Sequence, residues 1–263
     1  MSGHSKWAKI KRQKGVNDSK RGNLFTKLAK NITLASKEGG PDPAMNFTLR
    51  LAMDKAKAAN MPSDNIKRAI EKGSGKGSQQ STFQRVSYEA LGPGGVAVII
   101  DCQTDNTNRT VSEIRNIIET AGGKFSSTGS VSWKFVEKGL IIISLKKIVL
   151  SEKFGKGDEK VEISAEDAGM EIMEIPGIED LSDISWENND QSIPAIELIM
   201  NKEDFGNILK RLEELNYEIL SAELVKLPKE RVVLNDEQLN RKIVNFIETL
   251  EEHDDVDSVW INL

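Results

Sequence analysis

The sequence predicts an α+β multidomain protein, with an N-terminal three-helix domain followed by two ferredoxin-like α/β domains, the third inserted in the second. Three observations lead there. Apolar residues recur at helical spacing up to about residue 76 and at mixed strand and helix spacing beyond it. A Gly/Ser-rich tether, GSGKGSQQST at 73–82, separates the two regimes. Charge divides at the same place: residues 1–76 carry 17 Lys plus Arg against 6 Asp plus Glu, and the remainder 19 against 35. The overall net charge of -5 therefore conceals +11 at one end and -16 at the other.

The first helix is read in SKRGNLFTKLAKNITLASKEGG, where Leu24, Leu28, Ile32 and Ala35 form one stripe and Gly39, Gly40 and Pro41 end it. Met45, Leu49, Met53 and Ala56 mark a second helix. PSDNIKRAIEKG gives a third, opened near Pro62 or Ser63 and closed by Gly73. Three short amphipathic helices can bury their stripes only against each other, which predicts a bundle over 1–76 with cationic outer faces.

From Arg85 the period changes. Val86 and Tyr88 begin a strand, Gly92 to Gly95 turn the chain, and VAVIIDC reads as a central strand. Thr110 with Glu113 predicts a capping box for a helix that buries Ile114, Ile117, Ile118 and Ala121. A strand is expected around SVSWKF, 130–135. Residues 139–176 alternate between apolar strands and charged breaks, and 177–193 is acidic with little periodicity. Then AIELIM, a helix capped by Asn201 and lined by Phe205, Ile208, Leu209 and Leu212, and a further strand complete a strand, helix, strand unit. The unit at 80–136 lacks a second helix and strand; 229–263 can supply them, through Leu239, Ile243, Phe246, Ile247 and Leu250 and a last strand. That closure makes 137–228 an acidic insertion.

Composition excludes several function classes. A single cysteine, Cys102, rules out an intramolecular disulfide and suits a reducing compartment. His4 and His253 are the only histidines and lie at opposite ends, so neither a zinc set nor a histidine-based acid-base pair is legible. No apolar run approaches the roughly 20 residues of a membrane span, and no apolar segment follows the N-terminal lysines as a secretory signal would. The reading is a cytoplasmic protein, or one of the mitochondrial matrix if the source is eukaryotic, with no membrane partner. Lys76 is followed by Gly77 and preceded by a helix, which does not fit a phosphate-binding loop. Glu89, Asp101 and Asp105 are close enough in sequence to consider for magnesium-assisted hydrolysis, but equally sit where strands end. The chain is read as no enzyme, with no cofactor and no metal.

The opening stretch carries the functional signal. Lys6, Lys9, Lys11, Arg12, Lys14, Lys20 and Arg21 fall within 16 residues against one acid, Asp18, and Lys27 and Lys30 continue the series along the first helix. Backbone phosphates suit such a density, because each neutralised phosphate releases condensed counterions. Trp7 can stack on an unpaired base or wedge into a groove; the plainer alternative tucks it onto the bundle. Lysines with one tryptophan read phosphate and shape, with no base-reading helix signature and no implied two-fold half-site, so folded ribosomal RNA suits them at least as well as duplex DNA.

The blocks GHSKWAKIK, RGNLFTKLAKNI, NMPSDNIKRAIEKG, YEALGPGGVAVII, TDNTNRT and GSVSWKF, in that order over 1–136, closely resemble those of the YebC/PmpR family, which includes the mitochondrial translational activator of cytochrome c oxidase subunit I. The later part matches in layout more than in wording. The resemblance implies a helical domain and two α/β domains, the third inserted in the second, and a regulator of gene expression: members include DNA-binding transcriptional regulators and proteins that act on the ribosome. It places His4, Lys6, Trp7 and Lys9 in the opening block, Arg21, Phe25 and Lys27 in the first-helix block, and Tyr88, Gly92, Pro93, Gly94, Gly95, Thr104, Asp105, Asn106, Asn108, Arg109 and Thr110 in the most distinctive motifs. Of these, Arg109 stands beside a helix N-terminus, where it can share a phosphate or pair with Asp105. The acidic FGKGDEKVEISAEDAGMEIMEIPGIED departs from the family's wording and fits a protein partner better than nucleic acid.

Overall fold

A computed structural model describes residues 18–75, 83–149, 159–188, 191–234 and 236–263. The elements are α1 (Asp18–Gly39), α2 (Phe47–Ala58), α3 (Ser63–Gly73), β1 (Gln84–Leu91), β2 (Ala97–Thr104), α4 (Thr107–Thr120), β3 (Lys124–Ser126), β4 (Phe135–Val149), β5 (Glu159–Glu162), α5 (Ala165–Met173), β6 (Ile178–Asn188), β7 (Gln191–Asn201), α6 (Phe205–Glu214), β8 (Tyr217–Pro228), α7 (Glu237–Glu252) and β9 (Val256–Ile261). They form two compact units. One is Glu137–Lys226; the other joins the described residues up to Val136 with Leu227–Leu263. The chain leaves the second unit within β4 and returns within β8.

In the helical bundle, Leu28, Ile32 and Ala35 of α1, Leu49 and Ala56 of α2, and Ile66 and Ala69 of α3 share one core with Met61. Asn46 fixes the turn between α1 and α2. Its amide donates to the carbonyls of Ala35 and Gly40, each at 2.7 Å, and its Oδ1 accepts from Leu49 N at 3.0 Å as the α2 cap. Met45, expected on the α2 stripe, lies ahead of that cap and is 85% exposed. Gly73 lets α3 meet α1 closely, since a Cβ there would stand 2.2 Å from the Thr33 carbonyl oxygen.

Joined to the bundle in the same unit is a four-stranded antiparallel sheet of order β3-β1-β2-β9. Ile114 and Ile118 of α4 and Ile243, Phe246, Ile247 and Leu250 of α7 are buried where these two helices pack together and on the sheet. Ala97 and Ile99 pack with Val131, Phe135 and the half-buried Leu91 and Trp260 in a separate cluster. Both α7 and β9 come from the end of the chain.

The inserted unit runs β4, β5, α5, β6, β7, α6, β8, with β6-β7-β4 consecutive in its sheet and β8 also paired to β4. This is the ferredoxin-like order, with β5 added against the far end of β4. The same four-strand, two-helix layout arises in the other domain by a different route, because there the hairpin β1–β2 comes first.

Four local readings are corrected. Residues 132–134 form a 3₁₀ turn, and the strand paired with β1 is Lys124–Ser126 instead. The buried Glu89 carboxylate accepts from Val131 N at 2.6 Å, Gly129 N at 2.7 Å and Ser132 N at 3.0 Å, so these amides are engaged outside any ladder. Segment 177–193 contains β6, which lies at the sheet edge and pairs with β7 through a register shift between Ile178 and Asp180. Acidic side chains on an edge strand suppress the apolar alternation and discourage further pairing. Finally, α4 is capped by Asn106, whose Oδ1 accepts from Arg109 N at 3.1 Å, one turn before the expected Thr110 cap, and α6 begins after Asp204 rather than Asn201.

Candidate nucleic-acid interface

Of the residues expected to contact nucleic acid, Lys6, Trp7, Lys9, Lys11, Arg12 and Lys14 lie outside the described residues. Lys20 and Arg21 stand in the first turn of α1. Further along α1, the helical repeat that buries Leu28 and Ile32 in the bundle turns Lys27, Lys30 and Asn31 towards the α7–β9 turn.

Lys27 Nζ donates to the Glu251 carbonyl at 2.5 Å, and burial pushes its ammonium pKa down, with Glu251, Asp257 and Asp254 offsetting part of that. Lys30 Nζ donates to the Asp254 carbonyl at 2.9 Å and to Asp255 Oδ1 at 2.8 Å. Asn31 donates to Asp257 Oδ1 at 2.7 Å and accepts from Gln103 Nε2. From α4, Arg109 reaches Asp255 Oδ2 at 2.7 Å and Asp105 at 3.2 Å, and the Thr110 hydroxyl donates to Asp255 Oδ2 at 2.9 Å. Asp255 thus ties the bundle, α4 and the α7–β9 turn together while its side chain is 4% exposed. Burial alone would raise its pKa. Hydrogen bonds from Lys30, Arg109 and Thr110 outweigh burial and hold the carboxyl well below the usual carboxylate range.

Lys27, Lys30 and Arg109, expected at phosphate, each have a partner inside the protein, Lys27 and Lys30 on the α7–β9 turn and the half-exposed Arg109 on Asp255 and Asp105. Glu251 and Asp255 lie 224 and 225 residues beyond Lys27 and Lys30, so no local pattern announces the pairing. Next to it is an open cleft of about 720 Å³, lined by Lys30, Phe83 and Arg109 together with the acidic Asp105, Glu113, Glu252, Asp254 and Asp255. Carboxylates predominate, which disfavours an entering phosphate.

Glu113, His253 and Asp255 place ligand-type atoms within 4.8 Å of one another in this cleft. The arrangement does not suit a cation. His253 Nδ1 accepts the Asp255 amide at 3.1 Å, so Nε2 of the neutral ring carries the proton, and it stands 2.9 Å from Glu113 Oε2. The Asp255 oxygens already accept from two cationic side chains and a hydroxyl.

On the other side of Lys30 and Phe83 lies a groove of different character. It is about 390 Å³, between α1 and α3, with Phe25, Met61 and Phe83 as its larger apolar groups and Asn65, Arg68 and Lys72 at its polar margin. No acidic residue lines it among the described residues. Lys72 Nζ stands 5.3 Å and Lys30 Nζ 5.4 Å from the Phe83 ring centroid. Arg68 is exposed and has no carboxylate partner among the described residues.

Comparison with known proteins gives this site its context. Residues 5–76 match the model of the TACO1/YebC protein N-terminal domain, and residues 83–263 that of the TACO1/YebC second and third domain. The chain belongs to the TACO1/YebC family. It is 41% identical to a probable transcriptional regulatory protein of Chlorobaculum parvum over all of this chain and 95% of the relative. A protein of the same description from Halothermothrix orenii is 38% identical over all of this chain and 94% of the relative. The crystal structure of a conserved hypothetical protein, Aq1575, from Aquifex aeolicus is 35% identical, with a TM-score of 0.79 over 98% of this chain and 96% of that one.

Within this TACO1/YebC chain, the distinctive second-domain motifs have structural work to do. Gly94, at φ 73°, adopts the left-handed backbone of the turn between β1 and β2, and a Cβ there would come within 2.7 Å of Leu239. Asn106 caps α4, and Thr104 Oγ1 accepts from Asn106 N at 2.9 Å and lies 2.8 Å from the buried Thr110 hydroxyl. Glu89, Asp101 and Asp105 do not share one site: Glu89 holds the 129–132 loop, Asp101 accepts from Ser87 and Trp260 Nε1, and Asp105 pairs with Arg109. Sequence reasoning missed Asp255. The one available signal was the acid run EEHDDVD placed immediately before a terminal strand. No helix among the described residues is long and apolar enough to cross a membrane.

Proposed function

We propose that this protein is a non-enzymatic regulator of gene expression that grips the nucleic-acid backbone with its N-terminal domain. The observation that carries this reading is the charge division, +11 in residues 1–76 against -16 in the remainder. Such a molecule approaches a polyanion basic end first, and its acidic body disfavours the inverted orientation. The proposed contacts are Lys6, Trp7, Lys9, Lys11, Arg12, Lys14, Lys20 and Arg21. Lys27, Lys30 and Arg109 support them indirectly, by anchoring the bundle on the acidic α7–β9 turn. The acidic inserted unit is proposed to face a protein partner.

The relatives' description, probable transcriptional regulatory protein, favours duplex DNA at promoters as the target. A second reading, association with ribosomal RNA in translation, is supported by the lysine-dominated opening with a single tryptophan, a composition that reads phosphate and shape rather than base edges. A genome-wide occupancy map combined with gradient co-sedimentation separates the two. Discrete promoter peaks with no ribosomal co-migration establish the transcriptional target. Co-migration at moderate salt with altered ribosome pausing on deletion establishes the ribosomal one, and the absence of both signals would refute the function.

A further inference from the structure

Lys30 and Phe83 form a wall shared by two clefts of opposite electrostatic character. On one side the cations are neutralised by Asp255 and its acidic neighbours. On the other, no carboxylate is present among the described lining residues, and Arg68 and Lys72 have no acidic partner among the described residues. The groove's floor is aromatic and apolar, its margin carries two cations and the Asn65 amide, and its volume lies at the small end of the range for small-molecule clefts, about 300–1,000 Å³.

From this we infer that the α1–α3 groove is a nucleotide pocket that receives one unpaired base, with its phosphate, from single-stranded nucleic acid. The base lies against Phe25 and Phe83, where aromatic stacking tolerates any sequence. The phosphate meets Arg68, which can present two parallel donors, and Lys72, which leaves the Phe83 ring to pair with it. Lys30 remains on Asp255 and holds the wall in place. An apolar helix does not match this groove, because its polar margin is cationic and its volume is that of a single small group. An acidic peptide would satisfy Arg68 and Lys72 but would make no use of the aromatic surface of Phe25 and Phe83. The inference rests on the proposed nucleic-acid function and adds that the basic domain distinguishes unpaired from paired strands.

The test uses the full chain and four variants, Phe83→Leu, Phe83→Trp, Arg68→Gln and the combined Phe83→Leu with Arg68→Gln. Each is titrated with labelled oligouridylate, with an RNA duplex of equal length and with a polyglutamate peptide. Phe83→Leu is expected to weaken oligouridylate binding roughly 5- to 100-fold while Phe83→Trp retains it. Arg68→Gln is expected to weaken it by up to about tenfold. Duplex affinity should change less than about twofold throughout, and an unchanged midpoint of urea unfolding shows that the variants are folded. Equal oligouridylate binding by the native chain and the combined variant would overturn the pocket and leave the backbone-binding function standing. Loss of polyglutamate binding alone would overturn it in favour of an acidic peptide. Failure of the native chain to bind any nucleic acid would overturn the function itself.

Discussion

The two clefts on either side of Lys30 and Phe83 show how similar cationic residues acquire different roles. Lys27 and Lys30 on α1 and Arg68 and Lys72 on α3 belong to the same basic bundle, yet the first pair lies against a segment containing Glu251, Asp254 and Asp255, whereas among the described residues no carboxylate lines the groove beside the second. Their chemistry is alike. What separates them is the partner brought in by a distant part of the chain. A count of lysines therefore overestimates the surface available to phosphate, and the correction comes from tertiary pairing.

The largest expected effect is at the centre of the acidic cleft. Asp255→Asn removes the charge that compensates Lys30, whose side chain is 12% exposed, and Arg109; breaking a buried pair from one side typically costs about 3–5 kcal/mol. Urea unfolding should show a loss in that range, with half-exposed Arg109 keeping it towards the lower end. A change below about 0.5 kcal/mol would mean that Asp255 does not organise the junction.

Cys102 supplies a probe of the same region. It is buried on β2, burial pushes its thiol up to about 12, and the nearby Asp101 and Asp255 add to the shift. The native chain is expected to resist alkylation at neutral pH, and Asp255→Asn to accelerate it together with the destabilisation. Rapid alkylation of the native chain would break the link between the two.

The junction should also respond to acid in a defined direction. The folded pKa of Asp255 lies below that of an unfolded Asp, about 3.9. Its contribution is present above the unfolded value and is lost as pH falls through the window between the unfolded and the folded pKa. Stability measured from pH 7 downwards should fall in that window for the native chain and less steeply for Asp255→Asn. Parallel curves would remove Asp255 from the acid response. A smaller effect is expected at the basic opening, where Trp7→Ala should weaken single-strand binding by about 1–3 kcal/mol and leave unfolding by urea unchanged.

The contrast also shows what was legible in the sequence. The stripes at Leu28, Ile32 and Ala35, and at Phe205, Ile208, Leu209 and Leu212, are repeating local patterns, and those residues are buried as expected. The supply of α7 and β9 from the chain's end was legible too, because a domain lacking a helix and a strand had one place to find them. The 129–134 loop was not, since its conformation follows the Glu89 carboxylate about 40 residues earlier, and SVSWKF alone alternates like a strand. Asp255 escaped for the same reason. An acid run at a helix end normally reads as a solvated terminus, and only the folded chain brings Lys30 and Arg109 to it.

The most direct test of the central claim, that affinity comes from the basic opening and not from cations already engaged on Asp255 and its neighbours, is the salt dependence of binding. The full chain, a Lys6, Lys9, Lys11, Arg12→Ala variant and Lys27→Gln are titrated with duplex DNA between about 50 and 200 mM salt. With about five or six phosphates neutralised, log affinity should fall against log salt with a slope near -5. The fourfold variant should be shallower by roughly one unit for each contact removed, and Lys27→Gln should keep the native slope. A flat response in the native chain, or a slope that survives the fourfold substitution and collapses with Lys27→Gln, would contradict the account.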